Sequence, residues 1–133
     1  MAAQIEGRAR EILEAPNMAH VATLRADGSI HGVVAWADVE DGHVTLNSAR
    51  GRIWPTNLER DPRVTITVAN AENPYEFVSV RGRVAKESDE EGHDHIDALA
   101  KKYLGVDEYP FHQEGEQRVK FYVEPEKVTV QGG

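Results

Sequence analysis

Arg50, Gly51 and Arg52 stand together between a β-patterned stretch and a short helical one. A phosphate placed there would take guanidinium hydrogen bonds, backbone N–H groups near Gly51 and the positive end of the following helix. Alone, such a pair reads sooner as two solvated arginines on a turn. Its setting adds weight, because Arg60 and Arg63 follow closely in a chain whose formal net charge is −8. A local cationic patch on an acidic chain suits a small anionic ligand. The overall charge repels nucleic acid and anionic membranes, so neither is an expected partner. Trp36 and Trp54 are the only tryptophans. Trp54, on a short surface helix, is expected to be partly exposed, either stacking on a flat ring or simply packing. Trp36 is expected in the core or at a subunit interface. His93 and Asp97 have i, i+4 spacing and in principle share a metal, but the sequence places no third ligand; a solvated helix face is the simpler reading and no metal is expected. His20, His43 and His112 carry no signal. The absence of cysteine excludes disulfides, thiolate metal sites and cysteine nucleophiles. No nucleophile motif, glycine-rich nucleotide loop or paired-carboxylate constellation occurs, so no catalytic side chain is named.

The elements that must position these residues are mostly strands. Residues 3–15 read as an amphipathic helix, with Ile5, Ala9, Ile12 and Leu13 on one face and Pro16-Asn17 as the stop. The period then changes to two. Residues 18–25 and 30–38 form a hairpin around Asp27-Gly28, and Asp41-Gly42 turns the chain into residues 43–48. Residues 49–52 break this meander, and a short helix covers 54–60 before Asp61-Pro62. Residues 63–69 read as a strand, 70–74 as a turn and 75–86 as a long strand, with Gly82 permitting a bend or bulge. Ser88 and Glu91 have capping-box spacing for a helix that runs to Leu104, with Ile96, Leu99, Ala100, Tyr103 and Leu104 inward and Gly105 closing it. After a loop over 106–116, two strands are expected at 117–123 and 127–131, separated by Pro125. The 133 residues fit one domain spanning 1–133. About six or seven antiparallel strands with two or three helices make a mainly β (α+β), small closed or half-closed barrel. Its exposed strand faces, with Val33, Val34, Trp36 and Phe77, call for a second copy, so a homodimer is expected. No apolar run is long enough to span a bilayer, and the N-terminus lacks the regions of a signal peptide, which points to the cytoplasm.

Three motifs, in order and at matching spacing over roughly residues 5–130, resemble the pyridoxamine-phosphate-oxidase-like (PNPOx-like) split β-barrels, the FMN-binding split-barrel type. They are Ala26-Asp27-Gly28-Ser29-Ile30-His31; Asn47-Ser48-Ala49-Arg50-Gly51-Arg52 followed by Asn57-Leu58-Glu59-Arg60-Asp61-Pro62-Arg63-Val64; and Asn73-Pro74-Tyr75-Glu76-Phe77-Val78-Ser79-Val80-Arg81-Gly82-Arg83-Val84. Within that family the chain looks most like the branch that binds the deazaflavin coenzyme F420.

The resemblance implies a cofactor phosphate at Arg50, Gly51 and Arg52. It implies a ring system against the main chain of Asn47, Ser48 and Ala49 and of Val33–Trp36, including Val34. Trp54 and Tyr75 are further cofactor contacts, Tyr75 toward the partner subunit's cofactor, and His31 is near the substrate pocket. It also implies hydride transfer from reduced F420 to a small conjugated or heteroaromatic substrate, with the hard chemistry supplied by the cofactor. One departure stands out. Members of this branch commonly carry a lysine two residues after the second arginine, where this chain has Trp54. Losing that cation penalises FMN more than F420. An FMN-dependent oxidoreductase, and a non-catalytic carrier of flavin, haem or F420, remain as alternatives.

Overall fold

Alternation of burial along residues 19–24 and 30–35, and the left-handed backbone at Gly28, Asp41 and Gly42, set up two tight antiparallel hairpins, 19–24 with 30–35 and 37–40 with 43–49. The computed structural model describes residues 3–132. Its elements are α1 (Gly7–Glu14), β1 (Ala19–Leu24), β2 (Ile30–Ala35), β3 (Ala37–Glu40), β4 (His43–Ala49), α2 (Ile53–Arg60), β5 (Arg63–Asn70), β6 (Asn73–Ser88), α3 (Gly92–Leu104) and β7 (Arg118–Gln131). The seven strands form one sheet in the order β2-β1-β5-β6-β7-β4-β3, antiparallel throughout.

That order contains the main departure from the strand expected over 30–38. The chain breaks at Trp36: β2 pairs with β1, while β3 pairs with β4 at the opposite end of the sheet. Two contiguous strands can occupy both ends only if the sheet curls, which gives a half-barrel. The break is held from α3. Tyr103 Oη accepts the Ala37 N–H at 3.1 Å and donates to the Asn17 carbonyl at 2.6 Å, and Lys102 Nζ donates to the Ala37 carbonyl at 2.6 Å. Trp36 stacks on the Tyr103 ring, with centroids 5.2 Å apart.

The two strands expected either side of Pro125 are one strand. β7 runs through Pro125, which has no N–H to give a ladder, because the register with β6 shifts between Arg81 and Gly82 at that point. Gly82 is required there, since a Cβ would overlap the Glu124 carbonyl. The helix expected over 3–15 begins only at Gly7, whose left-handed φ of +57° separates it from Glu6, although Ile5, Ala9, Ile12 and Leu13 are all buried as their spacing implies. The capping box forms by half. Glu91 N–H donates to Ser88 Oγ at 3.1 Å, but the Glu91 carboxylate accepts from Tyr122 Oη at 2.6 Å, and Ser88 closes β6 while α3 starts at Gly92. Ile96, Leu99 and Ala100 face inward and Tyr103 is half-buried, but Leu104, at the last turn, is 46 % exposed.

The core inside the curl is Val21, Val44, Leu46, Ile66, Val68, Val78, Val80, Val119 and Phe121, capped by Ile12 and Leu13 of α1. Each such side chain contributes about 1.5–3 kcal/mol through burial. No described helix is long and apolar enough to cross a membrane.

Candidate functional site

The break at Trp36 opens a cleft of about 230 Å³ beside the corner of β2 and β3. β2 and the corner supply Val33, Val34, Ala35 and Trp36; β4 supplies Asn47 and Ser48; the turn before α2 supplies Arg52; α2 supplies Trp54; α3 supplies Ile96 and Leu99; and the segment into β7 supplies Tyr109, Phe111 and Arg118. Six of the sequence-derived positions therefore meet in one place: Val34, Trp36, Asn47, Ser48, Arg52 and Trp54.

The expected arginine pair is not the pair the fold assembles. Arg50 points away into a cage of carboxylates, with Asp89 at 2.6 Å, Glu87 at 2.7 Å and Glu59 at 2.8 Å, so its charge is already matched. Hydrogen bonding to Arg50 holds the Asp89 carboxyl below its ordinary range despite some desolvation. Among the described residues Arg52 has one loose partner, Glu116 at 3.4 Å, and its side chain is half exposed in the cleft. The second cation there is Arg118, which position in the sequence did not mark. It lies opposite Ala49 across the β4–β7 pairing. Its guanidinium donates to Glu116 at 2.7 and 3.0 Å and to Asn47 Oδ1 at 3.4 Å, and sits 4.8 Å from the Tyr109 ring centroid. Burial pushes the Glu116 carboxyl up, but Arg118, Arg52 and His112 bring it net below its ordinary value. Two guanidiniums against one carboxylate leave the cleft with spare positive charge.

Trp54 also departs from expectation. It is 6 % exposed, tilted against Phe121 at 5.7 Å, because α2 turns Trp54, Pro55, Asn57 and Leu58 inward. It is a wall of the cleft, not a lid. Asn57 Nδ2 bonds Thr23 Oγ1 at 3.1 Å, which fixes α2 on β1. Arg60 donates to the Leu24 carbonyl at 2.6 Å and Arg63 to Asp61 at 2.7 Å, so both are tied locally and neither extends the cleft's charge. Ala49 is buried opposite Arg118, and Gly51, at φ +92°, makes the exposed turn between β4 and α2. Tyr75, 83 % exposed at the start of β6, and His31, half-buried on β2, do not line the cleft of this chain.

Behind the cleft Asn47 is fully engaged. Its Nδ2 donates to the Gly92 carbonyl at 2.9 Å and to His95 Nδ1 at 3.0 Å. Burial, aided by Lys120, lowers the His95 pKa to about 3, so the ring is neutral. Ser48 differs. It is 1 % exposed, lines the cleft, and its Oγ has no hydrogen-bond partner among the described residues. A buried hydroxyl left unpaired is costly, as are His31 Nδ1, His43 Nδ1 and His95 Nε2 elsewhere, and Ser48 is the one of these four that lines the cleft.

The sequence model of the pyridoxamine 5'-phosphate oxidase family matches residues 5–132. The chain belongs to the pyridoxamine 5'-phosphate oxidase family. Solved structures share the fold of this family member. An F420 reductase superposes with a TM-score of 0.82 at 23 % identity, covering 94 % of this chain and 98 % of that one. A conserved hypothetical protein from Mycobacterium tuberculosis gives 0.74 at 19 % identity, covering 98 % and 86 %. A putative pyridoxamine 5'-phosphate oxidase from Listeria innocua gives 0.63 at 16 % identity, covering 86 % and 87 %. These likenesses establish the split-barrel fold. No curated protein matches the chain. The residues of this oxidase-family cleft fit a flat, phosphate-bearing group: an indole and aliphatic side chains for a ring, an unpaired Ser48 hydroxyl, and two guanidiniums for an anion.

Proposed function

We propose that the protein is an oxidoreductase that uses F420 bound in this cleft to reduce a small conjugated or heteroaromatic substrate. The observation that carries the reading is the convergence of Ser48, Trp36, Arg52 and Arg118 on one apolar-walled cleft. The family's members are mostly flavin- or F420-dependent oxidoreductases, and the F420 reductase structure has the same curled sheet over nearly its whole length. In this reading Arg52 and Arg118 hold the anionic tail, joined by the uncapped N-terminus of α2, whose first turn has no acidic side chain. The main chain and hydroxyl of Ser48 take the polar edge of the ring system, and Trp36 and Trp54 bound it.

When bound, F420 supplies a hydride donor. This chain's part is to orient and to exclude water, and no side chain need form a covalent bond. The buried Trp54 stands where a lysine would serve a compact phosphate, which favours a ligand with a longer, more distributed anionic tail. The rim of the cleft is apolar and open, with Met18 44 %, Val34 52 % and Phe111 62 % exposed. A second copy closes it in this reading and brings its own Tyr75 to the cofactor.

The test is titration of the purified protein with oxidised F420 and with FMN, each followed by its fluorescence, then assay of hydride transfer from reduced F420 to a panel of enones and heteroaromatics. F420 is expected to bind the more tightly and to turn over. Tight FMN binding with no F420 binding would transfer the assignment to an FMN oxidoreductase. Tight F420 binding without turnover on any acceptor would make the protein a carrier.

A further inference from the structure

The fold brings a third ligand to the pair His93 and Asp97. His112, in the segment between α3 and β7, lies beside them: its Nε2 is 3.2 Å from Asp97 Oδ1, and His93 Nε2 is 3.4 Å from Asp97 Oδ2. The two imidazoles stack with centroids 4.6 Å apart at 17°, and the three donor atoms lie within 4.8 Å of one another. We propose that His93, Asp97 and His112 bind a divalent transition metal, Zn(II) by donor type, which pins the segment carrying Tyr109 and Phe111 to α3.

The distances suit it. Two donors on one tetrahedral zinc, each about 2.0–2.1 Å from the metal, are roughly 3.3 Å apart. The observed nitrogen–oxygen separations, one to each oxygen of Asp97, are close to that spacing, and rotation about side-chain bonds must turn both imidazole nitrogens onto a common point beside the carboxylate. Two imidazoles and one carboxylate form a borderline donor set that suits zinc and leaves a fourth position for water. The Tyr109 N–H donates to Asp97 Oδ1 at 2.8 Å, which fixes the orientation of the carboxylate beside the two imidazoles. Behind His112, Glu116 Oε1 stands 3.8 Å from Nδ1, beyond hydrogen-bond distance, and accepts from Arg118.

The site lies outside the cleft but shares its wall. Asp97 holds the Tyr109 N–H, and the Tyr109 ring meets Trp36 edge-on at 5.9 Å as well as covering Arg118. A metal at Asp97 thus fixes the segment that closes one side of the cleft, whatever ligand the cleft takes.

The experiment uses the full chain without a histidine tag, stripped of metal with a chelator and titrated with Zn(II) against a chromophoric competitor, then with Co(II) as a spectroscopic probe. One equivalent per chain is expected, with visible Co(II) bands of a four- or five-coordinate site. His93→Gln and His112→Gln should each weaken binding at least roughly tenfold, while His20→Gln, on β1, leaves it unchanged. His93 is largely exposed, so its variant should fold as the parent does. Amide hydrogen exchange over residues 106–116 should slow with Zn(II) in the parent and not in His112→Gln. Absence of stoichiometric binding, or binding by both histidine variants as tight as the parent's, would overturn the site; unchanged exchange in the metal-loaded parent would overturn its role in pinning the segment.

Discussion

Arg50 and Arg52 are two residues apart, yet only one is free to meet a ligand. Arg50 is consumed by Asp89, Glu87 and Glu59, whereas Arg52 and Arg118 face the cleft. A charge-assisted hydrogen bond to an anion is worth about 1.5–3 kcal/mol. Arg52→Ala is therefore expected to weaken F420 binding by roughly ten- to a hundredfold at little cost in stability. Arg50→Ala should do the reverse, lowering the melting temperature by leaving three carboxylates together while binding changes little; paired calorimetry and fluorescence titration check both. Equal losses of affinity would place the phosphate on the turn itself. His95 supports a second expectation. Folding keeps it neutral with a pKa near 3, while in the unfolded chain it takes up a proton below about 6.5. The unfolded state then binds more protons, so stability falls as pH drops from about 6.5 toward 3, by up to about 1.4 kcal/mol per unit. Glu91 and Glu76, each held down to about 2 by hydrogen bonding, to Tyr122 and to Arg8 respectively, add their loss only below about 4.5. His95→Gln, which keeps an acceptor for Asn47, should flatten the melting-temperature profile between pH 6.5 and 4.5; an unchanged slope there would mean another group titrates. The Arg-Gly-Arg turn was legible because its residues are neighbours. Arg118 and His112 were not, because each acquires its meaning from partners that only strand pairing or loop placement brings close.

Local chemistry specifies some elements outright. At the first hairpin, Asp27 Oδ1 accepts the Ser29 N–H at 2.9 Å, with Gly28 left-handed; at the second, Asp41 and Gly42 both take positive φ. Both turns are readable from a few residues. The break at Trp36 is not, since it is imposed by Lys102 and Tyr103 from the far end of α3, and neither is the continuity of β7 through Pro125, which depends on Gly82 across the sheet. The start of α3 is likewise set from outside. Gly92 is buried where its α-carbon meets β7, and a Cβ there would overlap the Arg118 carbonyl. Gly92→Ala must push α3 off β7, straining the Asn47–Gly92 bond and displacing Arg118. Overpacking of this kind costs about 1–3 kcal/mol, a fall of roughly 3–15 °C in melting temperature for a domain of this size, together with weaker cofactor binding. Gly32→Ala, with open space around its Cβ and an ordinary φ, is the matched control and should be near neutral. Equal melting temperatures for the two variants would mean that α3 yields without cost.

At the scale of the whole molecule the expected partner is a second copy. Ile30 is 69 % exposed on the outer strand β2, alongside the open apolar rim of the cleft. Faces of this kind are covered in stable dimers. Sedimentation at micromolar concentration should give twice the chain mass, and Val34→Glu should shift the protein toward monomer with loss of cofactor affinity; a folded, cofactor-binding monomer in the parent would end the two-copy reading. The sheet order also dictates when this molecule can exist during its own synthesis. β7 lies between β6 and β4, so until residues 118–131 leave the ribosome those two strands have no common neighbour. The nascent chain can hold a four-stranded piece, β2-β1-β5-β6, and a separate hairpin, β4-β3, but it cannot curl shut. Closure is thereby deferred until β7 emerges, and the strand that completes the sheet opens with Arg118, so the cleft is finished in the same event as the barrel.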